Sequence, residues 1–132
     1  MPSYFNIARL TVVTLLLAAG MATAQMPETA APSDAKVYFV NLKSGDTVSS
    51  PVKVVMGLSG MGIAPAGIEF PQTGHHHLII DAPTPPAAAV IAADANHAHF
   101  GKGQTETSIE LAPGKHTLQL VLGDRNHVPH KP

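Results

Sequence analysis

The chain has 132 residues, no cysteine and a formal net charge of −1 when its eight histidines are neutral. This length accommodates one domain and excludes two, and the near-neutral charge argues against nucleic acid as a partner. The lack of cysteine excludes disulfide bonds, a cysteine-linked lipid anchor and a thiol nucleophile.

The first 24 residues have the pattern of a cleavable secretory signal peptide. Arg9 supplies the positive charge, residues 10–19 form the apolar stretch, and residues 22–24 (Ala-Thr-Ala) form a small-residue cleavage site. The apolar stretch is shorter than the roughly 18–20 residues of a transmembrane helix, and no later segment is long enough to span a bilayer. We therefore expect a periplasmic or secreted protein, cleaved near Ala24, with no membrane span.

Residues 25–35 are rich in proline and alanine, which predicts a flexible lead to a single domain at residues 36–132. β-Branched and aromatic runs bounded by glycine and proline predict short strands. These runs cover residues 37–40, 52–58, 75–81, 105–111 and 115–122. Short strands with turns between them predict an all-β, immunoglobulin-like antiparallel β-sandwich.

Two details of this fold follow from local patterns. In the last run His116, Leu118, Leu120 and Leu122 alternate with other residues, so that face is predicted to be the core side. Residues 59–74 form a glycine-rich loop, and residues 82–93 are predicted to form a proline-rich loop with at most one helical turn.

The histidines are clustered, and this is the main functional signal. They fall in the segments 75–77, 97–99 and 127–130, with His116 alone. On a strand, two histidines one residue apart share a face, and neutral imidazole is a good ligand for copper and zinc. We expect a surface cluster at one end of the sandwich that binds a transition metal, copper first and zinc second. The expected ligands are His75, His77, His97 and His99, with His76, His127 and His130 as candidates to complete the site.

Other groups are candidates to assist, and other interpretations stay open. Met56, Met61, Glu69, Asp81 and Asp94 are the candidate additional ligands. Histidines at strand ends also hydrogen-bond loop backbones without any metal, and this is the preferred interpretation for His116. A pH sensor built from many imidazoles is a third interpretation. Because no motif of a nucleophile, phosphate loop or metalloprotease helix is present, we expect that the protein is not an enzyme.

Three motifs in the second half of the chain occur together. They are G-H-H-H-L at residues 74–78, H-x-H-F-G-x-G-Q-T-E at 97–106 and P-G-x-H-T-L-Q-L at 113–120. With them, nearly all of the domain resembles the bacterial exported family known as domain of unknown function 4399. The resemblance implies a periplasmic β domain and no mechanism. The motif positions fall on His75, His76, His77, His97, His99, Gln104, Glu106, His116, His127 and His130.

The resemblance also implies one further strand after the histidines near the end of the chain, whereas this sequence stops at Pro132. A sandwich without its last strand has an open edge with unpaired backbone groups. Either the sequence is truncated, or a protein partner or a second copy pairs with that edge. The alternative function is therefore a metal-free interaction module whose histidines order loops.

Overall fold

The computed structural model of the protein describes residues 24–131. The predicted signal peptide, apart from Ala24, lies outside these residues. Within them there are seven strands and no helix, so residues 82–93 form a loop without a helical turn, and no helix is present that could span a membrane. The strands are β1 (Lys36–Phe39), β2 (Val52–Ser59), β3 (Gly62–Ile63), β4 (Thr73–Ile80), β5 (His97–His99), β6 (Glu106–Ile109) and β7 (Leu118–Gly123).

The strands form two sheets. In the first, β2 lies between β1 and β6, and both pairings are antiparallel. In the second, β4 pairs antiparallel with β5 and β7, which flank it, and pairs in parallel with the two-residue β3. The prediction of an all-β sandwich is confirmed, and the β3–β4 pair is the exception to its antiparallel pairing.

The hydrophobic core lies between the two sheets. Val52, Val54 and Met56 alternate along β2 and point inward, where they pack with Leu78 of β4 and Leu120 of β7. This is the period-two pattern of a strand with one buried face. Leu78 is fully buried, because β4 is the central strand of its sheet.

The outer face of β4, which points away from the core and carries the functional site, is also buried. Successive side chains on a strand point to opposite faces, so His75, His77 and Ile79 lie on the face opposite Leu78. Ile79 is only 1% exposed. The loops after β4 and β7 are joined by a hydrogen bond from the Ile91 amide to the His127 carbonyl. The His127 ring, in the loop after β7, packs against the rings of His75 and His77 on this face.

Strand β7 differs from its predicted form at its start. It begins at Leu118, and Leu118 and Leu120 face the core as predicted, with Leu122 buried on the same side. The prediction that His116 also faces the core is wrong. The His116 ring lies before the strand and contacts Asp81, because the strong hydrogen bond to a carboxylate outweighs continuation of the alternation.

The segment predicted to be a flexible lead contacts the end of the chain. Ala30 forms a parallel bridge with Lys131, and the Met26 amide donates to the Ala88 carbonyl. Residues 124–131 therefore lie between β7 and this segment, since Pro129 also bridges back to Gly123.

Candidate metal centre

Four histidines converge on the outer face of β4. One ring nitrogen from each of His75, His77, His99 and His127 lies within 4.8 Å of the others, and we call these residues the histidine cluster. The Nε2 atoms of His75 and His77 are 3.0 Å apart, and Nδ1 of His127 is 3.2 Å from Nε2 of His75. For nitrogens 2.0–2.1 Å from one metal ion, neighbouring ligands are about 2.9 Å apart in a square plane and about 3.3 Å apart in a tetrahedron. The His75–His77 and His127–His75 nitrogen distances are therefore compatible with binding to one metal ion. The nitrogens that lie farther apart, at up to 4.8 Å, must move closer together when the ion binds.

The strands place three of these imidazoles directly. His75 and His77 are two residues apart on β4 and so share a face. His99 of β5 is the cross-strand partner of His77, and directly paired residues project to the same side of a sheet. The ring centroids of His77 and His99 are accordingly 5.0 Å apart. The pairing of β4 with β5 therefore brings together three of the four cluster imidazoles.

The fourth imidazole comes from a turn after β7. His127 has a φ of +63°, in the left-handed region that few non-glycine residues adopt. Backbone hydrogen bonds hold the turn, from the His127 amide to the Asp124 carbonyl and from the Asp124 amide to the Val128 carbonyl. The fixed turn brings the His127 ring to within 4.6 Å of the His99 ring, measured between centroids.

Two glycines leave room for the rings. Gly123 of β7 is the cross-strand partner of His75, and a Cβ atom at Gly123 would lie 2.7 Å from Nε2 of His77. A Cβ atom at Gly101 would lie 2.7 Å from Nε2 of His99 and closer still to another ring atom. Real Cβ contacts are not this short, so a side chain at either position would displace an imidazole of the cluster.

Burial favours the neutral form of three of the cluster imidazoles. Burial lowers the pKa of His75 to about 4, with His127 and His99 adding to the effect and Asp124 opposing it. Burial, followed by the neighbouring His75 and His99, lowers the pKa of His77 to about 3. Burial also lowers the pKa of His99. At neutral pH these rings are uncharged, and an uncharged imidazole has the lone pair that a metal ion needs.

The prediction that the cluster lies on the surface is wrong for its two β4 members. His75 is 0% and His77 is 1% exposed. The sequence pattern predicted these histidines at the end of a strand, where side chains are exposed. They are buried because β4 is paired along both edges and both of its faces are covered. His99 and His127 are more accessible, and they form the solvent side of the cluster.

The remaining predicted ligands lie apart from the cluster. His97 is on β5, but its Nδ1 is 2.7 Å from the Asp94 carboxylate. His76 points to the opposite face of β4, towards the core. His130 is bonded through Nε2 to the Thr73 carbonyl at 3.1 Å. The structure thus brings together His75, His77 and His99 from the expected set, with His127 from the completing candidates.

The candidate additional ligands have other roles in the structure. Asp81 contacts His116, Asp94 contacts His97, and Glu69 pairs with Arg125. Met56 packs in the core, and Met61 lies in the bend between β2 and β3. Of the other motif residues, Gln104 accepts from the Lys102 amide and Glu106 lies 3.6 Å from Lys53.

The hydrogen bonds of His116 require both of its ring nitrogens to donate. Nδ1 is 2.7 Å from the Asp81 carboxylate, and Nε2 is 2.6 Å from the Ala112 carbonyl. Both partners only accept, so the imidazolium form fits this site. Accordingly, the hydrogen bond to Asp81, followed by that to Ala112, raises the pKa of His116.

This pairing predicts a pH-dependent contribution to stability. Because the folded pKa of His116 lies above its unfolded value, the contribution is full below about pH 6 and is lost as the pH rises through the folded pKa. We expect His116→Ala to lower the melting temperature at about pH 5.5 and to change it little at about pH 9. Paired thermal melts of the wild type and variant measure this difference, and a difference that grows with pH would contradict it.

His76 is a buried imidazole on the core face of β4. It is 0% exposed, neither ring nitrogen has a partner among the described residues, and its cross-strand partner is Leu122. A buried polar group left without a partner costs about 1–3 kcal/mol. We expect His76→Leu to raise the free energy of unfolding by about that amount, measured by denaturant titration, with metal affinity unchanged. A destabilised variant would contradict this expectation.

Sequence reasoning missed three residues of the site: Gly101, Gly123 and Asp124. Proximity is a weak signal for them, since each lies within four residues of a cluster histidine. Asp124 is 3% exposed, and its carboxylate accepts from the Asn126 and Val128 amides on either side of His127. That role depends on the turn geometry, which no sequence pattern indicated.

The fold and the site together define a two-sheet β domain with a four-imidazole cluster whose two β4 members are buried. The chain belongs to the family described as domain of unknown function (DUF4399), whose family model matches residues 54–132. The match begins within β2 and includes all four cluster histidines. Comparisons with curated proteins and with solved structures gave no match.

Proposed function

We propose that this protein is a non-enzymatic, exported metal-binding protein that holds one transition-metal ion on His75, His77, His99 and His127. Copper(II) is the first candidate ion and zinc the second. Copper(II) binds imidazole more tightly than zinc does, whereas four imidazoles in a tetrahedron suit zinc. The export assignment rests on the pattern of the first 24 residues.

One observation carries the proposal. The cluster imidazoles turn their nitrogens towards one another, at 3.0 Å between His75 and His77 and 3.2 Å between His127 and His75. The other histidines outside the core instead bond a carboxylate or a carbonyl, as ordinary structural histidines do. A loop-ordering network would show the second arrangement throughout. Mutually facing imidazole nitrogens are the arrangement that a metal ion requires.

The geometry indicates which nitrogen of His75 and His77 would bind the ion. Their Nε2 atoms are 3.0 Å apart, so a metal bound there leaves the ring proton of each histidine on Nδ1. Both Nδ1 atoms are buried without a partner among the described residues. The facing Nε2 atoms therefore support the proposal, and the Nδ1 atoms add nothing to it.

Calorimetric titration tests this function. We expect chelator-stripped protein to bind one equivalent of Cu(II) or Zn(II) with sub-micromolar affinity, and Mg(II) not at all, because Mg(II) prefers oxygen ligands. A ligand that binds only the folded state raises the melting temperature, so thermal melts with each ion give a second readout. If neither Cu(II) nor Zn(II) gives heat or a shift, the metal function is wrong and the metal-free interaction module takes its place.

A further inference from the structure

The segment before the first strand is bonded to the turn that carries His127. We call residues 26–31 the lead segment. The Thr29 hydroxyl donates to the Asp124 carboxylate at 2.8 Å. Two backbone bonds run beside this contact, from the Ala31 amide to the Lys131 carbonyl at 2.9 Å and from the Lys131 amide to the Thr29 carbonyl at 2.8 Å. The lead segment therefore contacts both ends of the segment that follows β7.

The Asp124 carboxylate connects this contact to the cluster. One oxygen, Oδ1, accepts from the Asn126 amide at 2.8 Å and from the Val128 amide at 3.1 Å, and Oδ2 accepts from Thr29. The two amides flank His127, so the carboxylate fixes the backbone on both sides of that ligand. Because Asp124 is 3% exposed, water competes little for these bonds.

His127 needs such support more than the strand ligands do. Its left-handed backbone costs free energy, and such a conformation persists only where the surroundings hold it. The strand ligands His75, His77 and His99 are held by sheet register instead. Hydrogen bonds that orient ligands change metal affinity by about 10- to 100-fold when they are removed.

We infer that the lead segment completes the metal site, with Thr29 and Asp124 as positioning residues that hold the His127 turn in its ligating conformation. This inference rests on the proposed metal function. The buried carboxylate also offsets part of the positive charge of a divalent ion bound by four neutral ligands. Removing or displacing the lead segment accordingly weakens metal binding, although none of its residues is a ligand.

The test compares two substitutions at one position. Thr29→Val keeps the shape of the side chain and removes the hydroxyl, whereas Thr29→Ser keeps the hydroxyl. We expect Thr29→Val to lower the affinity for Zn(II) and Cu(II) by about tenfold, and Thr29→Ser to stay within about twofold of the wild type. In metal-free protein, the amides of Asn126 and Val128 should exchange hydrogen faster in the valine variant only.

Each outcome decides the inference. Wild-type affinity and unchanged exchange in Thr29→Val would overturn it, as would equal losses in the valine and serine variants, because the hydroxyl would then have no specific role. If the wild type itself binds neither metal, the proposed function fails, and the exchange comparison in metal-free protein still decides whether Thr29 orders the His127 turn.

Discussion

Replacing His99 by alanine is expected to lower the affinity for Cu(II) and Zn(II) by more than about a hundredfold, since the loss of a group that merely orients a ligand already costs about 10- to 100-fold. His99 is the cross-strand partner of His77, and its ring contacts the rings of both His75 and His127. The variant removes one of four convergent nitrogens and leaves three. Calorimetric titration of chelator-stripped protein measures the change.

His97→Ala is the matched control, because His97 lies two residues away on the same strand. Its Nδ1 is 2.7 Å from the Asp94 carboxylate, outside the cluster. We expect this variant to bind within about two- to threefold of the wild type, since changes away from a site shift free energies by about 0.5 kcal/mol or less. Equal losses in the two variants would mean that both histidines of the H-x-H motif are ligands, which would contradict the ligand set inferred from the geometry.

Replacing Gly123 by alanine is expected to lower the metal affinity by at least about tenfold and the free energy of unfolding by about 1–3 kcal/mol. The added Cβ would lie 2.7 Å from Nε2 of His77 and 3.5 Å from Nε2 of His75. Both rings are fully buried, so they have little space in which to retreat. Titration with Cu(II) and a denaturant melt measure the two losses.

Gly62→Ala is the control for this substitution. Gly62 is also a strand glycine, but it is exposed, and a Cβ there would meet only a methyl group of Thr73, at 3.4 Å. We expect its metal affinity to equal that of the wild type. If Gly123→Ala binds metal as tightly as Gly62→Ala does, the space beside His77 is not part of the site.

The strand pattern was sufficient to predict the fold because the longer strands alternate or are densely β-branched. Strand β2 shows this most clearly, with Val52, Val54 and Met56 buried on one face. Strands β3 and β5 have two and three residues, which is too short for a period-two pattern to be seen. Their pairing with β4 depends on tertiary contacts, which local sequence patterns do not indicate.

The cluster was predictable only in part. The spacing of His75 and His77 guarantees a shared face on any strand, and so does that of His97 and His99. The sequence could not show that Asp94 bonds His97 and leaves only His99 free to converge. The position of His127 depends on a left-handed turn held by Asp124, and the burial of His75 and His77 depends on the strands and the His127 ring packed around β4. Both are long-range properties.

X-ray absorption at the metal edge of the loaded protein tests the central claim most directly, because it counts the ligands and identifies their type. For protein loaded with one equivalent of Zn(II), we expect four nitrogen ligands at about 2.0–2.1 Å, with the outer-shell scattering of imidazole rings. Loss of one imidazole in His99→Ala should then appear in the same spectrum. A first shell of oxygen atoms, or fewer than three imidazoles in the wild type, would contradict a metal centre built from the histidine cluster.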